Sequence, residues 1–343
     1  MSSSVPAKMR ALVQVKKVSS FKQEDTNACF EVREVDVPEL KDGEALVKIE
    51  CSPINPSNLS IITGSYNSAA QSPLPSLLGT EGSGVVVATK SDAVKIGQRV
   101  AILKDQGIWA EYAALPGISC VGLPDDVTFE GGCSLFVNPL TAVAFVHIAL
   151  ARGAKTIVHT AGASALGKML VQHAKERGVN VLAVVRRPEQ VQALQALGAE
   201  YVVDTSEADW KVKFKELATT LEATLGFDAV SGGLTGDILS NMPNGSEVQV
   251  YGGLSGHPVS GVNTLGLIFE GKKVSGFWLV KYLGGLEIPA KIGMIRQVTA
   301  GLNKAFKTVV NKSYSLEEAV SAFHDYTGNM SDNKIAFKPS QRA

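Results

Sequence analysis

The chain has 343 residues, enough for two domains, since single cores stop growing near ~250–300 residues. Its 33 Lys and Arg balance 33 Asp and Glu, so no basic field draws it to nucleic acid or an anionic membrane. No apolar run approaches the ~20 residues of a membrane span.

Four cysteines, Cys29, Cys51, Cys120 and Cys133, are scattered without a C-x-x-C spacing, the pattern of reduced thiols and not of a disulfide framework. The start, MSSSVPAKMRALVQV, reads as a polar tail before a strand. It has neither a signal-peptide core nor an arginine-rich presequence, so the expected compartment is the cytoplasm, with the mitochondrion left open.

From Met9 to about Val127 the pattern is short β, with strands at Ala11–Val15, Phe30–Val35, Ala45–Ile49 and Gly82–Ala88. Pro53, Pro56, Pro73 and Pro75 bracket an expected long loop that holds Gly64-Ser65-Tyr66. Near Thr128 the period changes. Asn138-Pro139-Leu140-Thr141 opens an apolar helix that Gly153 stops. Strands are then predicted at Thr156–His159, Val181–Val185, Tyr201–Val203, Phe227–Val230, Glu247–Tyr251 and Lys273–Phe277, alternating with helices near 165–177, 189–197, 209–224 and 235–241. Alternation of this kind argues a parallel, doubly wound α/β sheet. Helices near 288–301 and 316–325 and a closing strand Lys334–Phe337 return to the character of the first lobe. The predicted domains are therefore 1–127 with 286–343, β-rich, and 128–285, α/β.

The stretch Thr156 to Leu182 carries the strongest motif. A strand meets the turn Ala161-Gly162-Ala163-Ser164-Ala165, and a helix follows with Leu166, Leu170, Val171 and Ala174 on one face. Backbone N–H groups from Gly162 through Ser164, Ala165 and Leu166 are the expected seat of a pyrophosphate. Only Gly162 and Gly167 remain of the G-x-G-x-x-G fingerprint, so a plain strand-turn-helix corner built for close packing stays open. The second strand ends in Arg186-Arg187-Pro188, with no acid before Glu189. A carboxylate there would suit NAD, whereas guanidinium forks suit a 2′-phosphate, so the expected cofactor is NADPH.

This order of motifs resembles the medium-chain dehydrogenase/reductase superfamily over essentially the whole chain, in its zinc-free quinone oxidoreductase and 2-enoyl-thioester reductase branches. The stretches that carry the resemblance are Asn55-Pro56-Ser57-Asn58, Thr63-Gly64-Ser65-Tyr66, Asn138-Pro139-Leu140-Thr141-Ala142, Tyr251-Gly252-Gly253 and Gly276-Phe277-Trp278-Leu279. It implies a Rossmann domain plus a β-rich, GroES-like catalytic domain formed by both chain ends, and a dimer joined through edge strands such as Lys273–Phe277. Where zinc-containing relatives place Cys and His ligands, this chain has Asn55 and Thr80, poor Zn²⁺ donors, so no metal is expected.

The resemblance also implies roles. Tyr66 is the candidate proton donor and Asn55 a catalytic or cofactor contact near the nicotinamide ribose; an Asx-turn before Pro56 would equally explain Asn55. Thr141 would contact the nicotinamide or simply cap its helix. Gly252 and Gly253 suit close backbone approach. Phe277, Trp278 and Leu279 would meet the carboxamide and wall the substrate, and Lys334 would lie near the cofactor or in solvent. His147, His159 and His173 have no Cys or carboxylate at ligand spacing and read as structural, and nothing recruits His257 in its Gly/Pro loop. The expected activity is NADPH-dependent hydride transfer to a quinone or α,β-unsaturated carbonyl. The alternatives are a 2-enoyl thioester (CoA or acyl-carrier) reductase and, in another class, an NADPH-binding protein without turnover.

Overall fold

The computed structural model describes residues 5–21, 24–66, 73–328 and 334–342. The chain divides into two compact units, residues 1–136 with 307–343 and residues 137–306. Both borders lie further along the chain than the sequence pattern placed them. Phe129–Gly132 stays with the first unit because Ser83 Oγ donates to the Phe129 carbonyl at 2.6 Å and Glu81 accepts the Phe136 N–H at 3.1 Å. Ile288–Ala300 stays with the second, where Met294 and Val298 are buried.

In chain order the first unit supplies β1 Lys8–Gln14, β2 Phe30–Asp36, β3 Glu44–Pro53, α1 Pro56–Ile62, β4 Ser76–Leu77, β5 Glu81–Thr89, β6 Arg99–Leu103, β7 Tyr112–Pro116, β8 Val121–Gly122 and α2 Phe129–Gly132. The second supplies α3 Val137–Ala151, β9 Thr156–Thr160, α4 Ala165–Glu176, β10 Asn180–Val185, α5 Pro188–Ala196, β11 Tyr201–Asp204, α6 Trp210–Thr220, β12 Leu225–Asp228, α7 Gly233–Asn241, β13 Glu247–Val250, α8 Thr264–Phe269, β14 Lys273–Gly276, α9 Leu279–Gly284 and α10 Ile288–Ala300. The tail returns to the first unit with β15 Lys312–Tyr314, α11 Ala319–Gly328 and β16 Ile335–Phe337.

In the first unit β3 is the hinge of the larger sheet. It pairs antiparallel with β5 along one side and with β7 then β16 along the other. Its pattern EALVKIECSP buries Val47 and Ile49 in an aliphatic core with Val100, Ile102 and Ile108. A second core is aromatic: Trp109 lies 4.9 Å from Phe337 and 5.6 Å from Phe323, so residues from both chain ends close it.

Gly79 is fixed by this packing. Its φ of +87° is left-handed, and a Cβ there would stand 2.5 Å from Trp109. The chain that follows, Thr80 and Glu81, is thereby delivered to the face described below.

In the second unit six strands run parallel in the order β11-β10-β9-β12-β13-β14. Every residue of β9 is buried, as expected of a strand covered on both faces. The doubly wound α/β architecture is as the sequence pattern reads. The differences are local. Pro56–Ile62 is a helix where a loop was expected, because Pro suits a first helical turn. Residues 67–72 of that expected loop lie outside the described residues. α8 and α9 were not anticipated, being single turns too short for a period to show. The predicted strand Phe227–Val230 is displaced to Leu225–Asp228, since the Asp228 carboxylate turns the chain immediately afterwards.

Candidate functional site

The second unit gathers its candidate residues at the carboxyl ends of its strands, beside β9, where the strand order reverses and α/β sheets bind ligands. Ser164 is the N-cap of α4, its Oγ accepting the Gly167 N–H at 3.1 Å. The N–H groups of Ala165 and Leu166 carry no hydrogen bond among the described residues. Both surviving glycines answer to packing: a Cβ on Gly162 would lie 2.9 Å from the Ala183 Cβ, and one on Gly167 2.1 Å from the Gly162 carbonyl oxygen. The left-handed residue of the turn is Ala161, at φ 51°.

Around the turn, Arg186 is exposed at the end of β10, its N–H bound to Gln190 Oε1 at 3.1 Å. Arg187 is N-cap of α5 and pairs with Glu189 at 3.1 Å, which offsets part of its charge. Gly252 is packed, with Ala229 O only 2.8 Å from a notional Cβ, whereas Gly253 has open space. Phe277 N–H bonds the Val250 carbonyl, and its ring meets Phe145 edge-on at 4.9 Å. Trp278, 37% exposed, caps α9, which begins at Leu279. Thr141 does not cap its helix; its Oγ1 donates back to the Val137 carbonyl at 2.7 Å.

Beneath this rim lies a carboxylate that sequence reading did not single out. Asp228 is fully buried and accepts four bonds, from Thr160 Oγ1 (2.6 Å), Thr235 Oγ1 (2.5 Å), Val230 N–H (2.8 Å) and Ser231 N–H (3.2 Å). It ties the ends of β9 and β12 to the start of α7. Its one signal in sequence was an acid inside the apolar run Leu225–Val230. Nearby, His159 Nε2 and Tyr251 Oη are 2.7 Å apart. Burial pulls His159 down to about 3, so the ring is neutral, and burial raises the Tyr251 phenol.

The first unit presents a separate polar cluster. Asn55 is fully buried at the start of α1, but its side chain does not make an Asx-turn. Its Nδ2 donates to Glu81 Oε1 at 2.6 Å, and its Oδ1 accepts from Lys334 Nζ at 2.5 Å. The cap of α1 is closed instead by Asn58, whose Oδ1 accepts the Asn55 N–H at 2.9 Å and whose Nδ2 donates to Thr80 Oγ1 at 3.1 Å. Lys334 arrives by register: two residues before the Ala336–Pro53 pair of antiparallel β16 and β3, it comes opposite Asn55. It is 8% exposed, not the solvated lysine that was the other expectation. Tyr66 is half-buried just past α1, its N–H on the Ser60 carbonyl at 3.0 Å. Glu81, next to Thr80, was not singled out from the sequence, and nothing there revealed its burial.

A parallel six-stranded sheet with an anion-ready turn at its reversal point is the frame of a dinucleotide-binding oxidoreductase. Residues 41–125 match the family described as "Alcohol dehydrogenase GroES-like domain", and residues 165–313 the one described as "Zinc-binding dehydrogenase". The chain is 31% identical over 267 residues to the mitochondrial enoyl-[acyl-carrier-protein] reductase of Xenopus tropicalis, covering 73% of each chain. In structure it is similar to a putative NADPH:quinone reductase from Mesorhizobium loti (TM-score 0.84, 29% identical, 98% of this chain and 100% of that one). It also superposes on Etr1p in its complex with NADP and crotonyl-CoA (TM-score 0.79, 22% identical, 97% and 100% covered). The chain belongs to the medium-chain dehydrogenase/reductase superfamily of oxidoreductases.

The zinc in one family's description does not suit this cluster. Asn55 has both amide atoms engaged, Thr80 offers a hydroxyl already bonded to Asn58, and the adjacent group is the Lys334 side chain, itself a cation when protonated. Neither donor is one that Zn²⁺ prefers, and a neighbouring ammonium opposes a second positive charge.

Proposed function

We propose that this protein is an NADPH-dependent, zinc-independent reductase of a C=C bond conjugated to a carbonyl, with 2-enoyl thioesters as its substrate class. The observation that carries the reading is the Asn55–Glu81–Lys334 cluster. With amide, carboxylate and ammonium in place of metal donors, the site suits an acceptor that spreads charge over a conjugated system, not an alcohol that needs a Lewis acid. The choice of thioester over quinone rests on the curated relative from Xenopus tropicalis, and it reverses the order expected from sequence. Quinone reduction is the second reading, favoured by the Mesorhizobium loti neighbour.

Bound NADPH supplies the hydride. In this reading the free N–H groups of Ala165 and Leu166 and the Ser164 cap hold the pyrophosphate, and Arg186, with Arg187, takes the 2′-phosphate. Gly162 lets the turn close, and Gly252 and Gly253 bring backbone near the cofactor. Phe277, Trp278 and Leu279 hold the carboxamide and wall the substrate, with Thr141 beside them. Tyr66 gives the proton to the substrate carbon from its phenol O–H.

The protein acts as a homodimer in this reading. β14 is an edge strand, and the neighbouring α8 exposes Leu265, Ile268 and Phe269, the last 78% accessible.

The test is NADPH oxidation with crotonyl-CoA and with an ortho-quinone in parallel. Turnover with the thioester that falls at least ~100-fold in Tyr66→Phe supports the reading. Quinone-only turnover indifferent to that change selects the second. Tight NADPH binding with neither acceptor reduced leaves a cofactor-binding protein without turnover.

A further inference from the structure

Lys334 is more than nine-tenths buried, and its Nζ has two acceptors among the described residues, Asn55 Oδ1 at 2.5 Å and the Ile54 carbonyl at 3.4 Å. An ammonium carries three N–H donors, so one is unmatched among the described residues. A donor left bare in a buried position costs free energy unless something outside the chain accepts it. On the far side, Glu81 is 1% exposed, its Oε1 accepting from Asn55 Nδ2 at 2.6 Å and its Oε2 from the Phe136 N–H at 3.1 Å. A buried anion and a buried cation are therefore joined through one amide. The amide has a single workable orientation, since a flip would set its NH₂ against the ammonium and its oxygen against the carboxylate.

We propose that Glu81 is a positioning residue that, through Asn55, keeps the Lys334 ammonium charged and aimed, and that the ammonium's remaining N–H donates to a hydroxyl or carbonyl oxygen of the bound cofactor or substrate. This rests on the reading above only in placing the reactants near Lys334; the Glu81-to-Lys334 coupling is independent of it. Burial draws the Lys334 pKa down, and the Glu81 carboxylate pulls it back. The thiols Cys133 and Cys51 also face it and act in the same direction as Glu81. Cys51 is in turn flanked by the Glu130–Lys338 ion pair at 2.7 Å. Among the described residues Glu81 is the one carboxylate that acts on Lys334 directly, so its removal should dominate.

The experiment reads protonation without turnover. The full-length protein is labelled with [13Cε]lysine, and the Lys334 signal is assigned by its loss in Lys334→Met and followed against pH. Glu81→Gln, nearly the same shape without the charge, should lower the lysine's titration by about one to three pH units. Should that variant fail to fold, Asn55→Ser interrupts the same connection and should shift the titration in the same direction. An unchanged titration, or a Lys334 already neutral at neutral pH in the parent chain, overturns the proposal.

A second pair of measurements separates the two oxygen sources. Lys334→Met that weakens NADPH binding at least ~10-fold places the accepting oxygen on the cofactor. Lys334→Met that leaves NADPH affinity unchanged and lowers kcat, with the alkaline limb of the Glu81→Gln rate profile moving in step with the NMR titration, places it on the substrate. No change in either removes the ligand half of the proposal. Failure of thioester and quinone assays alike would sink the proposed function while leaving the NMR and NADPH-binding arms to be read.

Discussion

Ala161 and Gly167 stand six residues apart and each sits where the other residue type would fit better or worse. Ala161 holds a left-handed φ of 51°, which costs an L-residue roughly 1–2 kcal/mol that glycine does not incur. Ala161→Gly should therefore stabilise the second unit by about 1 kcal/mol, less the unfolded-state entropy glycine adds. Gly167→Ala puts a methyl 2.1 Å from the Gly162 carbonyl and should cost about 1–3 kcal/mol and weaken NADPH binding. Urea titrations of the two variants should move in opposite directions; movement the same way would show that the turn is not held as described. The incomplete fingerprint is thus explained by packing: the glycines that remain are the two that steric contact demands. Buried histidines set a pH dependence at the same scale. Burial pulls His159 down to about 3 and, with help from Arg177 and His147, His173 down to about 4, from an ordinary 6.5. Both folded values lie below the unfolded one, so the stability they contribute is whole above pH 6.5 and is lost as pH falls toward 4 and then 3. Each should cost about 2 kcal/mol between pH 6.5 and 5. Glu130 and Glu247, whose pKa values are lowered, add losses of the same sign only in more acid solution. Unfolding curves at pH 7.5 and 5 check this, and His159→Gln with His173→Gln should flatten the difference.

Among the elements, β14 makes the sharpest demand. Lys273 N–H bonds Ser246 O and Phe277 N–H bonds Val250 O, so alternate residues face β13 and the N–H groups of Val274 and Gly276 face away from the sheet. Proline at one of the outward positions removes a donor from the open edge and none from the ladder. A Cβ at Gly276 would meet nothing nearer than 3.9 Å, so Gly276→Pro is the gentler choice. It should convert a dimer to a monomer by light scattering after size exclusion, with the circular dichroism spectrum unchanged; a dimer that persists would locate the interface elsewhere. The long elements were legible in sequence because they carry a period: the six parallel strands and α3, α4, α6 and α10 lie close to where alternation and 3.6-residue spacing put them. α1, α8 and α9 were not, since seven or six residues hold too little repeat, and α1 was hidden by prolines that read as loop signals. The candidate site divides in the same way. The turn after β9 announced itself locally, whereas the meeting of Asn55, Glu81 and Lys334 depends on β3, β5 and β16 pairing across more than 250 residues of chain.

The whole molecule is asymmetric in how its two units are sewn. The second is one continuous segment, 137–306, whose core of Val158, Leu182, Val184, Val203, Phe214, Ile238 and Val248 needs nothing from outside it. The first is closed only by its tail. Phe323, Ile335 and Phe337 share a core with Leu12, Phe30 and Trp109, Phe337 pairs with Ser52, and Arg10 bonds both Glu317 (2.6 Å) and the Pro339 carbonyl (2.8 Å). That arrangement was anticipated from the β character of both chain ends, but not its dependence on three aromatic and aliphatic side chains near the C-terminus. It predicts unequal fragments. Residues 137–306 produced alone should fold, melt cooperatively and bind NADPH, since every residue proposed to hold the adenosine and pyrophosphate end lies within them. Residues 1–136 alone should not fold, because Trp109 would face a void where Phe323 and Phe337 belong, a loss of about 3–5 kcal/mol for each ring. Adding 307–343 as a separate peptide should restore a cooperative transition to 1–136. Thermal melts of the three samples decide it: a 1–136 fragment that melts cooperatively by itself would show the tail to be dispensable, and a 137–306 fragment that folds yet ignores NADPH would show that cofactor binding draws on the first unit as well.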